Sequence, residues 1–179
     1  DLSRKGERYA QVMLDIATHW LLPHAQKTRT VFDTKESIET FLGQSIPKHV
    51  YSDNAPELIR AIKELGWAGR HDTSTPNRPA TNGLMENAVG TAKELGSIGL
   101  IQSGLNGEWW FDSMHTGCFL HNVHDKLADG ETPYEKRFEE SHLGPMIPFG
   151  AEIGYKPSSK ATLDNMHPQM KKTLPGNLV

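Results

Sequence analysis

The stretch Lys48-His49-Val50-Tyr51-Ser52-Asp53-Asn54-Ala55-Pro56-Glu57-Leu58 changes its structural character half-way along. Residues 48–52 read as a short buried strand, rich in β-forming side chains. Pro56 and Glu57 suit the first turn of a helix, where an amide would be unpaired anyway and a carboxylate meets the positive helix end. Asn54 reads as the N-cap. The helix continues through Leu58, Ile62 and Leu65, spaced i, i+4, i+7, and Gly66 is placed to end it. Asp53 therefore stands where a strand stops and a helix starts, a junction at which side chains reach solvent.

Outward toward the N-terminus, residues 8–17 place Ala10, Val12, Leu14 and Ile16 on one face at period 2, which predicts a strand. Residues 20–27 predict a second strand, and Pro23, lacking a donor, pushes it toward a sheet edge. Asp33 with Glu36 forms a capping-box pattern before a helix carrying Ile38, Phe41 and Leu42.

On the C-terminal side, residues 72–80 are a polar, proline-containing loop, and Thr81 or Asn82 can cap the next helix. That helix carries Leu84, Ala88, Val89, Ala92 and Leu95. Glu86 points away from this stripe, early in the helix, where a negative charge is favoured. A further helix is predicted over 108–125, with Trp110, Met114, Cys118 and Val123 toward a core, and a short one over 133–139. From about residue 141 the composition shifts toward Gly, Pro, Ser and Lys.

The 179 residues fit one domain with an appendage. Apolar residues make up only 36%, with 16 Gly and 11 Pro, so a modest core and many loops are expected. A single Cys excludes a disulfide framework and a cysteine-based zinc module. No apolar run approaches the roughly 18 residues of a membrane span, and no leader is visible, which reads as a soluble chain of a reducing compartment. The chain opens at Asp1 without Met, as expected of a piece of a longer protein. The net charge of −3 counts against a self-sufficient nucleic-acid binder. It is unevenly spread: Lys156, Lys160, Lys171 and Lys172 against Asp164 give the last 25 residues a positive tail, and the rest of the chain is acidic.

Asp1, Asp53 and Glu86 are three separated carboxylates in a mixed α/β order. Hard oxygen ligands of this kind hold Mg²⁺ or Mn²⁺, and two such ions about 4 Å apart can activate an attacking oxygen while stabilising a leaving one.

The surrounding text resembles retroviral and retrotransposon integrases. Tyr51-Ser52-Asp53-Asn54 followed by Glu57 is similar to their SDN-x-x-E segment. Thr75-Pro76-Asn77-Arg78-Pro79-Ala80-Thr81-Asn82-Gly83-Leu84-Met85-Glu86-Asn87 is similar to the segment around their last catalytic Glu. Glu108-Trp109-Trp110, Thr132-Pro133-Tyr134-Glu135, Pro148-Phe149-Gly150-Ala151 and Leu163-Asp164 with Lys171-Lys172 follow in the order found in the copia-type branch.

The resemblance implies a ribonuclease-H-like α/β fold, a mixed five-stranded sheet flanked by helices. It implies a catalytic core over 1–140, truncated at its N-terminus, and the start of a C-terminal segment over 141–179. It implies 3′-end processing and strand transfer with two Mg²⁺ or Mn²⁺ ions held by Asp1, Asp53 and Glu86, DNA as partner, and homo-oligomers. It also implies a nuclear or cytoplasmic location, with a virus-like particle for the parent element. Asp15 is the other candidate for the first ligand. In this family its segment, Met13 to Trp20, resembles the second strand, whose Asp is not a ligand. The interval between Asp1 and Asp53 contains 51 residues, whereas that between Asp15 and Asp53 contains only 37.

Arg78, Asn82 and Lys93 are candidate DNA contacts, Lys93 because it stands two turns after Glu86 on the same face. The sequence departs from the family at Ala55, where Gly is usual, and at Asn87, where a basic residue is usual. The 32 residues between Asp53 and Glu86 are a shorter interval than is common. These departures keep open a decayed core that binds DNA or protein without catalysis, and another ribonuclease-H-like nuclease or transposase is the second rival. His115, Cys118, His121 and His124 recur every third residue, but that spacing drifts around a helix, so they read as packing with polar edges.

Overall fold

The computed structural model describes residues 2–74, 83–155 and 174–179. Strand β1 (Tyr9–Leu14) turns back into β2 (Leu21–Gln26), and the two pair antiparallel with Val12 opposite Pro23. Helix α1 spans Val31–Leu42. Strand β3 (Val50–Ser52) leads into α2 (Pro56–Glu64), and β4 (His71–Thr73) lies parallel to β3. Helix α3 (Gly83–Ser103) is followed by α4 (Trp110–His124) and the short α5 (Pro133–Phe138). Strands β5 (Glu152–Tyr155) and β6 (Leu174–Asn177) form a terminal antiparallel pair.

Strand β1 sorts the core into two layers. Val12 and Leu14 pack on a cluster of Leu21 from β2, Ala88 and Ala92 from α3 and Cys118 from α4. Met13, between them, packs on Ile38, Ala61 and Ile62 of α1 and α2, where Val50 of β3 joins it. Neighbouring strand residues face opposite sides, so the sheet lies between two helical layers.

The α3–α4 contact is close because glycines line it. A Cβ on Gly117 would sit 2.9 Å from the Leu95 Cβ, and one on Gly96 would sit 3.0 Å from the Met114 Cβ. The buried Ser113 hydroxyl exploits this approach and donates to the Gly96 carbonyl at 2.7 Å. Arg137 of α5 ties the opposite end: its guanidinium stacks over Trp20, Phe41 and Phe138, donates to the Phe41 carbonyl and faces Asp15.

Several expectations change. The described strands form three two-stranded pairs rather than one five-stranded sheet. Strands β3 and β4 have only three residues each, and the β3 side meets β1 through the Met13–Val50 cluster instead of a backbone ladder. The α1 cap is Thr30, whose side chain accepts from the Asp33 amide, so Asp33 lies inside the helix and is not its cap. Asn54 does not cap α2; Ala55 holds that position without a side-chain bond. Ile16 lies beyond β1 and is exposed, as is Leu84 at the start of α3. The helix predicted over 108–125 begins as a single 3₁₀ turn, Gly107–Trp109. Helix α3 runs without interruption through Gly90. No helix among the described residues is long and apolar enough to cross a membrane.

Candidate active site

Asp53 follows the last residue of β3 and is exposed. Among the described residues no side chain bonds its carboxylate, which leaves both oxygens open to an incoming ligand. Its backbone, in contrast, is held from several sides. The Ser52 hydroxyl donates to the Asp53 carbonyl at 2.9 Å and contacts Nε2 of His71 at 2.8 Å. The Ser74 amide donates to the Ser52 carbonyl at 3.0 Å, extending the β3–β4 pairing. The Asn54 amide group donates to the Ser74 carbonyl at 2.6 Å, which is why it is lost to α2 as a cap. Burial holds the His71 imidazole below the ordinary histidine range, against the Asp72 carboxylate, which pulls the other way.

Glu86 stands in the first turn of α3 with its side chain exposed. Ala88 and Ala92, buried against Leu21 and Cys118, fix the opposite face of that helix, so the placement of Glu86 away from the packed stripe holds. Lys93 is exposed on α3. Asp1, Arg78 and Asn82 lie outside the described residues. Asp15 is already employed: its carboxylate accepts from the Ala17 amide at 3.0 Å and from the Thr18 hydroxyl at 2.9 Å, with Arg137 at 3.8 Å. It shapes the turn between β1 and β2.

Among the described residues no three His, Cys, Asp or Glu side chains gather as a metal-binding group. On α4, Cys118 is fully buried and desolvation pushes its thiol up to about 12, unsuited to ligation at neutral pH. His121 and His124 both bond Asp125, at 2.6 and 3.0 Å. Of the two best-formed concavities, one of about 770 Å³ is rimmed by Glu131, Glu135, Glu139 and Glu140, and the other, of about 320 Å³, lies between α3, α4 and Phe149. Neither contains Asp53 or Glu86.

The catalytic core domain of BIV integrase aligns over 72% of this chain and 84% of its own, with a TM-score of 0.54 and 20% identity. The HTLV-2 integrase catalytic core domain, in complex with magnesium, aligns over 70% and 82%, with a TM-score of 0.54 and 20% identity. The chain has the fold of retroviral integrase catalytic cores. A simian T-cell lymphotropic virus intasome, in complex with a PP2A regulatory subunit, aligns over 93% of this chain and 60% of that one, with a TM-score of 0.57 and 19% identity. No protein-family description matches the chain, and no curated protein matches it by sequence.

The contacts that sequence reasoning missed are those of His71 and Ser74. The triplet His71-Asp72-Thr73 is polar and short, and nothing in its pattern marks it as a strand beside β3.

Proposed function

We propose that this chain is the catalytic core of a copia-type retrotransposon integrase, a polynucleotidyl transferase that joins element DNA to target DNA. The observation that carries the reading is the integrase-core fold, with Asp53 exposed at a strand-to-helix junction and Glu86 exposed at the start of a core-anchored helix. In this reading residues 1–140 are the core and 141–179 begin a C-terminal segment.

The donor set suits Mg²⁺ or Mn²⁺. Asp53 and Glu86 offer hard carboxylate oxygens on the surface, and the Asp53 oxygens are not consumed by internal bonds. Asp1 and Asp53 would share one ion, and Asp1 and Glu86 would hold the second. When bound, the pair of ions supplies activation of the attacking oxygen and charge stabilisation of the leaving one. The protein's part is to hold the carboxylates in register: β3 and β4 present Asp53, and α3 presents Glu86. Arg78, Asn82 and Lys93 would meet DNA phosphates beside them, positioning the duplex without reading sequence. Homo-oligomers would bring two element ends together. The dimeric and trimeric forms of the HTLV-2 core support this part of the reading.

A substrate panel tests the proposal. With Mg²⁺ or Mn²⁺, the chain is expected to nick and join double-stranded donor DNA ends and to leave an RNA–DNA hybrid uncut. Hybrid cleavage without joining would assign it to another ribonuclease-H-like class.

A further inference from the structure

We propose that His71 is a positioning residue for Asp53, acting through the Ser52 hydroxyl; this rests on the reading of Asp53 as a metal ligand. Ser52 has one hydroxyl hydrogen and two polar neighbours, the Asp53 carbonyl at 2.9 Å and His71 Nε2 at 2.8 Å. If the hydroxyl donates to the carbonyl, its oxygen is left to accept, and His71 must supply the hydrogen from Nε2. Both contacts are then satisfied at once. The chain of bonds runs from β4, through the imidazole and the hydroxyl, to the peptide that carries the Asp53 side chain. It meets a second brace on the other side, the Asn54 amide on the Ser74 carbonyl at 2.6 Å.

This brace matters because β3 is only three residues long and stops immediately before Asp53. The ladder continues past it by a single bond, from the Ser74 amide to the Ser52 carbonyl. The Asp53 carbonyl therefore depends on Ser52 and His71 for its orientation. Groups that orient a ligand from behind typically change metal affinity by about 10- to 100-fold when removed.

The test is calorimetric titration of the 179-residue chain with Mn²⁺ alone, without DNA. His71→Ala is expected to weaken Mn²⁺ binding about tenfold. His71→Gln, whose side-chain amide can offer a hydrogen near the place of Nε2, is expected to restore affinity to within about threefold. Ser52→Ala removes only the relaying hydroxyl. It is expected to show the same loss as His71→Ala, and it serves if the latter does not fold.

Wild-type affinity in folded His71→Ala or in Ser52→Ala would overturn the proposal. A loss in folded His71→Gln as large as in His71→Ala would overturn the donor assignment. Asp53→Asn separates this inference from the reading beneath it. If that variant loses Mn²⁺ while Ser52→Ala keeps it, only the brace is wrong. If the wild type binds no Mn²⁺, or Asp53→Asn binds as well as wild type, the metal-site reading itself falls.

Discussion

The side-chain amide of Asn122 pairs with the backbone of Leu21 as a neighbouring strand would. Its oxygen accepts the Leu21 amide at 3.0 Å, and its nitrogen donates to the Leu21 carbonyl at 2.7 Å, with Asn122 fully buried. Strand β2 has only β1 beside it among the described strands, so helix α4 supplies the missing pairing at this point. Replacing Asn122 by Ala leaves two buried backbone groups without partners. A loss of about 3 kcal/mol is expected, measured by urea unfolding.

The glycines of α3 and α4 divide by what surrounds them. A Cβ at Gly117 would press on the side chain and backbone of Leu95, whereas nothing lies within 4 Å of one at Gly90. Gly117→Ala is expected to cost about 2 kcal/mol through overpacking. Gly90→Ala is expected to stabilise by about 0.5–1 kcal/mol, because alanine loses less freedom in a helix. Thermal unfolding of the two single variants should move in opposite directions.

Cys118 gives a pH signature. Its thiol ionises near 9.0 when solvated and is pushed up to about 12 by burial, so the folded chain keeps a proton that the unfolded chain releases. That contribution is complete below pH 9 and is lost as pH rises from there toward 12. The free thiol, read with an aromatic disulfide reagent at pH 8, is expected to be silent in the folded chain and fully reactive in denaturant. Rapid labelling without denaturant would contradict its burial.

Local patterns predicted local structure well. Pro56, the spacing of Leu58, Ile62 and Leu65, and Gly66 predict α2, and Thr132-Pro133-Tyr134-Glu135 proves to be a helix start with a reciprocal capping box. The errors arise where a distant partner outbids a local one. Asn54 has the chemistry of a cap but spends its amide on Ser74, twenty residues on. Asp33 and Glu36 fit a capping box, yet Thr30 stands one turn earlier and takes the Asp33 amide. Strand β6, Leu174-Pro175-Gly176-Asn177, carries no strand signal and owes its form to pairing with β5. The positions of Asp53, just after β3, and of Glu86, in the first turn of α3, are legible because junctions and first turns have sequence signatures. The His71–Ser52 brace is not, because it depends on which two short strands lie side by side.

The assignment of chemistry to Asp53 and Glu86 is tested most directly by Mg²⁺-dependent joining of a donor DNA end to target DNA. Asp53→Asn, Glu86→Gln and Asp15→Asn should be measured beside the wild type. The first two are expected to lose at least about a hundredfold in rate with the fold intact. Asp15→Asn should keep its rate to within a few fold and show only lower stability, since its carboxylate holds Ala17, Thr18 and Arg137. A joining rate unchanged in Asp53→Asn, or a rate abolished by Asp15→Asn in a folded chain, would contradict the account.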